Sequence, residues 1–201
     1  MKRKCDFLAL WLLIFLATGC GQRISSHVVR FSGLPAGVSS KTFYFTPSEQ
    51  QKGSLEFERY AASISSRLVK TGFVRADKSE NADYLIAIEY GIDGAREITG
   101  QTLLYDRGDS NFAGGKKPRR EIVGHAPYDY SMHDRFFKIK LLDNRKSTPD
   151  KPVNAYEAKI TSTGTSPSFA AVSECIFDSL FKNFFKEGTE TISINASRCL
   201  K

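Results

Sequence analysis

The sequence predicts an α/β domain of the α+β type: a single mixed, largely antiparallel sheet with two amphipathic helices packed mainly on one face. Three observations carry this. Phe57, Tyr60, Ala61, Ile64 and Leu68 recur at helical spacing and form one apolar stripe. Phe137, Ile139 and Leu141 alternate with Lys138 and Lys140, the two-residue period of a strand covered on one face. Phe169, Val172, Ile176, Phe177, Leu180, Phe181 and Phe184 supply a second helical face near the C-terminus. The chain has 201 residues, 41% apolar and 12% aromatic, which suits one domain with a real core.

At the N-terminus, Lys2, Arg3 and Lys4 precede the apolar run from Phe7 to Ala17. That run is too short to cross ~30 Å of hydrocarbon as a helix. A basic start, a short apolar centre and small residues at its end read as a secretory signal. Leu16-Ala17-Thr18-Gly19-Cys20 resembles a bacterial lipoprotein signal, with Ala17 where such signals usually carry Leu. The resemblance implies removal of residues 1–19, lipidation of Cys20, a tether over 20–26 and a body over 27–201. Gly21 follows Cys20, not the Asp that resembles an inner-membrane retention signal. The implied address is the outer membrane, lipid-anchored and facing the periplasm. An ordinary secretory signal with an incidental cysteine fits the same letters.

The body then reads in order. His27 to Phe31 is a candidate first strand, and Leu34-Pro35-Ala36-Gly37 a turn. Thr42 to Thr46 is a strand with Phe43 and Phe45 on one face, followed by a loop over Pro47–Ser54. Ser54 caps the first helix, Glu56 and Glu58 favour its positive end, and Gly72 stops it with Phe73 packing back. Asn81 to Gly91 is the clearest strand; Tyr84-Leu85-Ile86-Ala87-Ile88 is apolar on both faces, which predicts a central position. Tyr130–Leu142 and Val153–Thr163 are antiparallel partners across a polar loop, with Tyr156, Ala158 and Ile160 toward the core. Ser166-Pro167 is expected to open the second helix, Lys182 and Lys186 to lie at its end, and Gly188 to terminate it. Thr191–Ile194 is a last short strand.

Residues 92–127 form a long insertion with no clear period. Lys116, Lys117, Arg119 and Arg120 make it basic, and a hairpin of Ile98–Tyr105 with Glu121–Tyr130 is one solution. The basic cluster is the candidate interaction loop, facing lipid headgroups, an anionic polymer or an envelope protein; a solvated loop is the alternative. The formal charge of +7 is modest, and no nucleic-acid partner is expected. Cys5 leaves with the signal and Cys20 carries lipid, so Cys175 and Cys199 remain. In an oxidising compartment they form a candidate disulfide, with two unpaired thiols as the alternative.

Chemical motifs fail their tests. Gly114-Gly115-Lys116-Lys117 lacks the earlier glycine and following Ser or Thr of a phosphate loop. His27, His125 and His133 have no metal-ligand spacing, and no metal or other cofactor is expected. His133 and Asp134 are strand neighbours that point to opposite faces, so they form no dyad. There is no Gly-x-Ser-x-Gly elbow, and Arg107-Gly108-Asp109 matches an adhesion tripeptide by letters only.

Lys41-Thr42-Phe43-Tyr44-Phe45, the helix ending Gly72-Phe73, and Ala82-Asp83-Tyr84-Leu85-Ile86 resemble bacterial lipoproteins that carry domain of unknown function four-one-three-six. The late strand pair and the terminal aromatic helix agree with it. The likeness spans most of residues 26–195 and brings no catalytic residues with it. The expected function is a membrane-anchored, non-catalytic lipoprotein that interacts with an envelope partner. The alternatives are a periplasmic binding module for a small apolar or glycan ligand, and a hydrolase.

Overall fold

A computed structural model describes residues 23–35, 40–105, 122–148 and 150–199. Seven strands form one sheet: β1 (Arg23–Ser32), β2 (Thr42–Phe45), β3 (Val74–Arg75), β4 (Tyr84–Tyr105), β5 (Ile122–Asp143), β6 (Asn154–Gly164) and β7 (Gly188–Asn195). Their order is β3-β2-β4-β5-β6-β1-β7. β2 runs parallel to both β3 and β4, and every other pairing is antiparallel. Helices α1 (Leu55–Lys70) and α2 (Ser173–Phe181) pack on one face, as the sequence predicts.

Register explains why that face is the core. Pairing lines up Tyr90, Phe137, Ile160 and Val28 in one row, and Ile88, Ile139 and Ala158 in the next. Alternation carries the same rows along each strand, so one face is buried and the other stays open. Tyr84, Ile86 and Ile88 are buried, while Leu85 and Ala87 are only half-covered on the open face. β4 is therefore interior to the sheet, as expected, but it is covered on one side.

The α1 stripe Phe57, Tyr60, Ala61, Ile64 and Leu68 is buried against the sheet. Ser54 Oγ accepts from the Phe57 N–H at 3.3 Å. Gly72 turns the chain at φ 103°, and the Phe73 N–H returns to Leu68 O at 3.1 Å. The Phe73 ring then packs edge-on to Phe43. The Lys41–Phe45 and Ala82–Ile86 stretches meet as the parallel β2–β4 pair. Asp83 Oδ2 accepts from the Thr42 N–H at 2.9 Å, and Thr42 Oγ1 accepts from the Asp83 N–H at 2.8 Å. The Thr42 backbone bond outweighs burial and, with Lys41 and Arg145 nearby, holds the Asp83 carboxyl below the usual carboxylate range.

Three boundaries differ from expectation. β1 starts at Arg23, so residues 23–26 belong to the sheet and not to a tether. The second helix begins at Ser173 after Val172, not at Ser166-Pro167. The preceding segment turns instead and sets Phe169 against Tyr60 and Tyr90, with ring centroids 5.4 and 5.6 Å apart. The helix also stops at Phe181, short of Gly188, because Arg30 takes its last carbonyls: Nη2 donates to Ser179 O and Leu180 O, each at 3.1 Å. Lys182 and Lys186 thus lie beyond the helix.

Candidate functional site

Residues 92–105 and 122–132 extend β4 and β5 into a hairpin, which contains the pairing of Ile98–Tyr105 with the strand up to Tyr130 that the sequence offered. β6 accompanies β5 only as far as His133, so Ala95–Tyr105 and Ile122–Met132 continue as a two-stranded arm. At ~3.3 Å per residue it reaches roughly 30 Å past the sheet. A bulge between Ile92 and Ala95, with Gly94 at φ 83°, marks its departure.

The arm has two unlike faces. Cross-strand pairing puts Ile98, Leu104, Tyr128 and Tyr130 on one side. Glu97, Thr99, Asp129 and Ser131 occupy the other, together with Leu103 toward the arm's end. Gly100 pairs with Tyr128, whose ring fills the space a Cβ would need. Tyr128 and Tyr130 stack at 5.9 Å. Leu104 and Tyr128 are 46% and 45% exposed, so this apolar face is uncovered among the described residues.

The other feature is a pair of buried arginines at opposite ends of α2. At its C-terminal end, Arg30 is 1% exposed; its Nε has no partner, but both Nη atoms are engaged. Besides the two helix carbonyls it pairs with Glu190, which also accepts from Asn183 Nδ2 at 2.9 Å. Burial acts to raise the Glu190 carboxyl, but hydrogen bonds from Arg30 and Asn183 outweigh it and hold the group below its usual range. Near the N-terminal end, Arg135 is 3% exposed, its Nε has no partner, and burial lowers its pKa. It lines a cavity of about 200 Å³ with Arg23, Gly164, Thr165, Ser166 and Val172.

The predicted site residues are distributed as follows. Cys20, Lys116, Lys117, Arg119 and Arg120 lie outside the described residues. Cys175 and Cys199 are joined by a disulfide with Cα atoms 5.2 Å apart, within the ordinary range. His27 and His125 are exposed, and His133 is half-buried. Asp134 faces away from His133 and accepts from Arg96 and Thr163 at 3.0 and 2.6 Å. No His/Cys/Asp/Glu group suited to a metal occurs among the described residues. Nor is any helix there long and apolar enough to cross a membrane. Sequence reasoning passed over Arg30 and Arg135, although the signal was present. Arg30 is two residues from Val28 and Arg135 two from Phe137, so strand alternation puts both on the core face.

Residues 33–184 match the family model of a domain of unknown function, DUF4136. The chain belongs to the DUF4136 family. The DUF4136 match takes in the arm, α1, α2 and Arg135, and leaves β1, β7 and Cys199 outside. No curated protein matches the chain. Among solved structures it is similar to a PDZ domain protein from Parabacteroides distasonis, with a TM-score of 0.50 and 17% identity. That alignment covers 94% of this chain and 42% of the other, so the chain spans less than half of that protein's length. Two PelC dodecamers from Paraburkholderia phytofirmans align with TM-scores of 0.42 and 0.39 at 14% and 15% identity. They cover 77% of this chain and 93% and 94% of theirs. At these identities the likeness concerns the fold alone.

Proposed function

We propose that this DUF4136 protein is a non-catalytic lipoprotein, anchored to the outer membrane through Cys20 and facing the periplasm, that docks an envelope protein on its β4–β5 arm. The amphipathic arm is the observation that carries this. A two-stranded ribbon is marginally stable alone in water, and exposed apolar patches mark interaction surfaces. An arm with Leu104, Tyr128 and Tyr130 on one side gains stability when a partner covers them. The basic residues Lys116, Lys117, Arg119 and Arg120 lie in sequence between the two arm strands. Cys20 lies just before β1, which supports a body held close to the lipid.

The test is photo-crosslinking in cells, with a crosslinking residue at Leu104 of the full chain and a control at Lys159 on the open sheet face. Discrete protein bands from the arm, lost in a Tyr128→Ser/Tyr130→Ser variant, are expected. Identical bands from Lys159, or glycan adducts alone, would refute protein docking. Anchoring is tested separately by labelled palmitate, which Cys20→Ser should no longer incorporate.

A further inference from the structure

We infer that the cavity between the start of β1, the end of β6 and the N-terminus of α2 is a phosphate-binding site, with Arg135 as its buried cation. A buried guanidinium without a counter-charge is costly, since charges withdrawn from water are normally paired. Arg135 is buried with no ion-pair contact among the described residues, and its Nε has no hydrogen-bond partner. Its neighbour Asp134 lies on the opposite sheet face, held by Arg96 and Thr163; its charge offsets the burial of Arg135 only in part, and it makes no contact with the guanidinium.

The surroundings deepen the imbalance. α2 opens with Val172 at its cap position, and no side chain caps its first amides. Those amides and the helix dipole are a second positive element at the same cavity, which Val172 lines. Arg23 is a third. Thr165 and Ser166 add hydroxyl donors, and no acidic residue lines the cavity. Gly164 makes room for the Arg135 guanidinium: a Cβ there would run into its Nη2.

Charge and size select the ligand. A phosphomonoester carries about −1.5 to −2 at pH 7, which matches two guanidinia, whereas a carboxylate leaves one uncompensated. A cavity of about 200 Å³ is small for an extended ligand but comparable to the ~150 Å³ known to admit a benzene-sized molecule. The phosphate has two sources: a soluble phosphomonoester, or the headgroup of a lipid such as phosphatidic acid. The second rests on the Cys20 anchor proposed above, which sits within roughly 10 Å of extended chain of Arg23.

The experiment is thermal unfolding of the full chain in dodecyl maltoside, with inorganic phosphate compared with chloride at equal ionic strength. Phosphate should raise Tm in a saturable way. Arg135→Gln should abolish the rise. Arg23→Gln, an exposed change that leaves the core intact, should weaken the apparent affinity at least several-fold. A cooperative melt in chloride checks that Arg135→Gln folds; if it does not, Arg23→Gln still decides. No rise in the wild type, or equal rises in all three proteins, would overturn the site. In phosphatidic acid nanodiscs, added phosphate should give no further rise if headgroups fill the cavity. An undiminished rise there assigns the site to soluble phosphate. A protein that responds in maltoside yet fails to join nanodiscs refutes the anchor and leaves the phosphate site standing.

Discussion

The two ends of helix α2 are finished in opposite ways. At the C-terminal end a buried arginine meets a helix pole of opposite sign: Arg30 receives two carbonyls and Glu190. Toward the N-terminal end another buried arginine shares a cavity with a helix pole of its own sign, and no acidic residue lines that cavity. The same residue type on the same sheet face is a structural clamp in one place and an unmet demand in the other. Helix polarity decides which, because the dipole favours cations at the C-terminus and anions at the N-terminus.

The largest expected effect concerns the device that holds the N-terminal half of α2 in place of a cap. The disulfide from Cys175 closes a loop of sequence separation 24. A Cys175→Ala/Cys199→Ala variant should lose roughly 3.5 kcal/mol in the chain-entropy account, read from urea unfolding. At the other end, Arg30→Ala strips the α2 carbonyls and Glu190 together. Breaking a buried pair costs about 3–5 kcal/mol, and the 28% exposure of the Glu190 side chain puts this one near the lower figure. A loss under about 1 kcal/mol would show that Arg30 is not the clamp.

Acid should separate the ends further. The Glu190 carboxyl is depressed in the folded state, so its contribution is fully present above the unfolded value of about 4.3 and is lost as pH falls through the folded value. The stability gap between wild type and Glu190→Gln should therefore shrink between about pH 5 and pH 2; a constant gap contradicts the clamp. The smallest effect belongs to Arg135→Met without phosphate. It removes a buried charge that is offset only in part and should leave stability within about 1 kcal/mol of wild type, on either side.

Much of the fold was legible. The α1 stripe, its Ser54 cap and its Gly72 stop are local signals, and local signals survive into the structure. β5 and β6 were legible because each buries one face, which enforces a period of two. The arm was harder: it has no core beneath it, and Gly100 and Gly124 dilute its apolar side. The α2 boundaries were misread because they are tertiary. Phe169 is claimed by Tyr60 and Tyr90, and the helix end is claimed by an arginine 149 residues earlier in the chain. The buried arginines were visible as positions in an alternating strand, but their consequences required the helix to be placed first.

β1 enters the sheet at Arg23; it pairs with β7 from Arg23 to Arg30 and with β6 from Ser26 to Ser32, so its middle is flanked on both sides. Antiparallel hydrogen bonds lie perpendicular to the strands, so tension applied near Cys20 along β1 shears two ladders at once instead of peeling one bond at a time. The first strand is thus built to bear load, and Arg30 ties its far half to the helix layer.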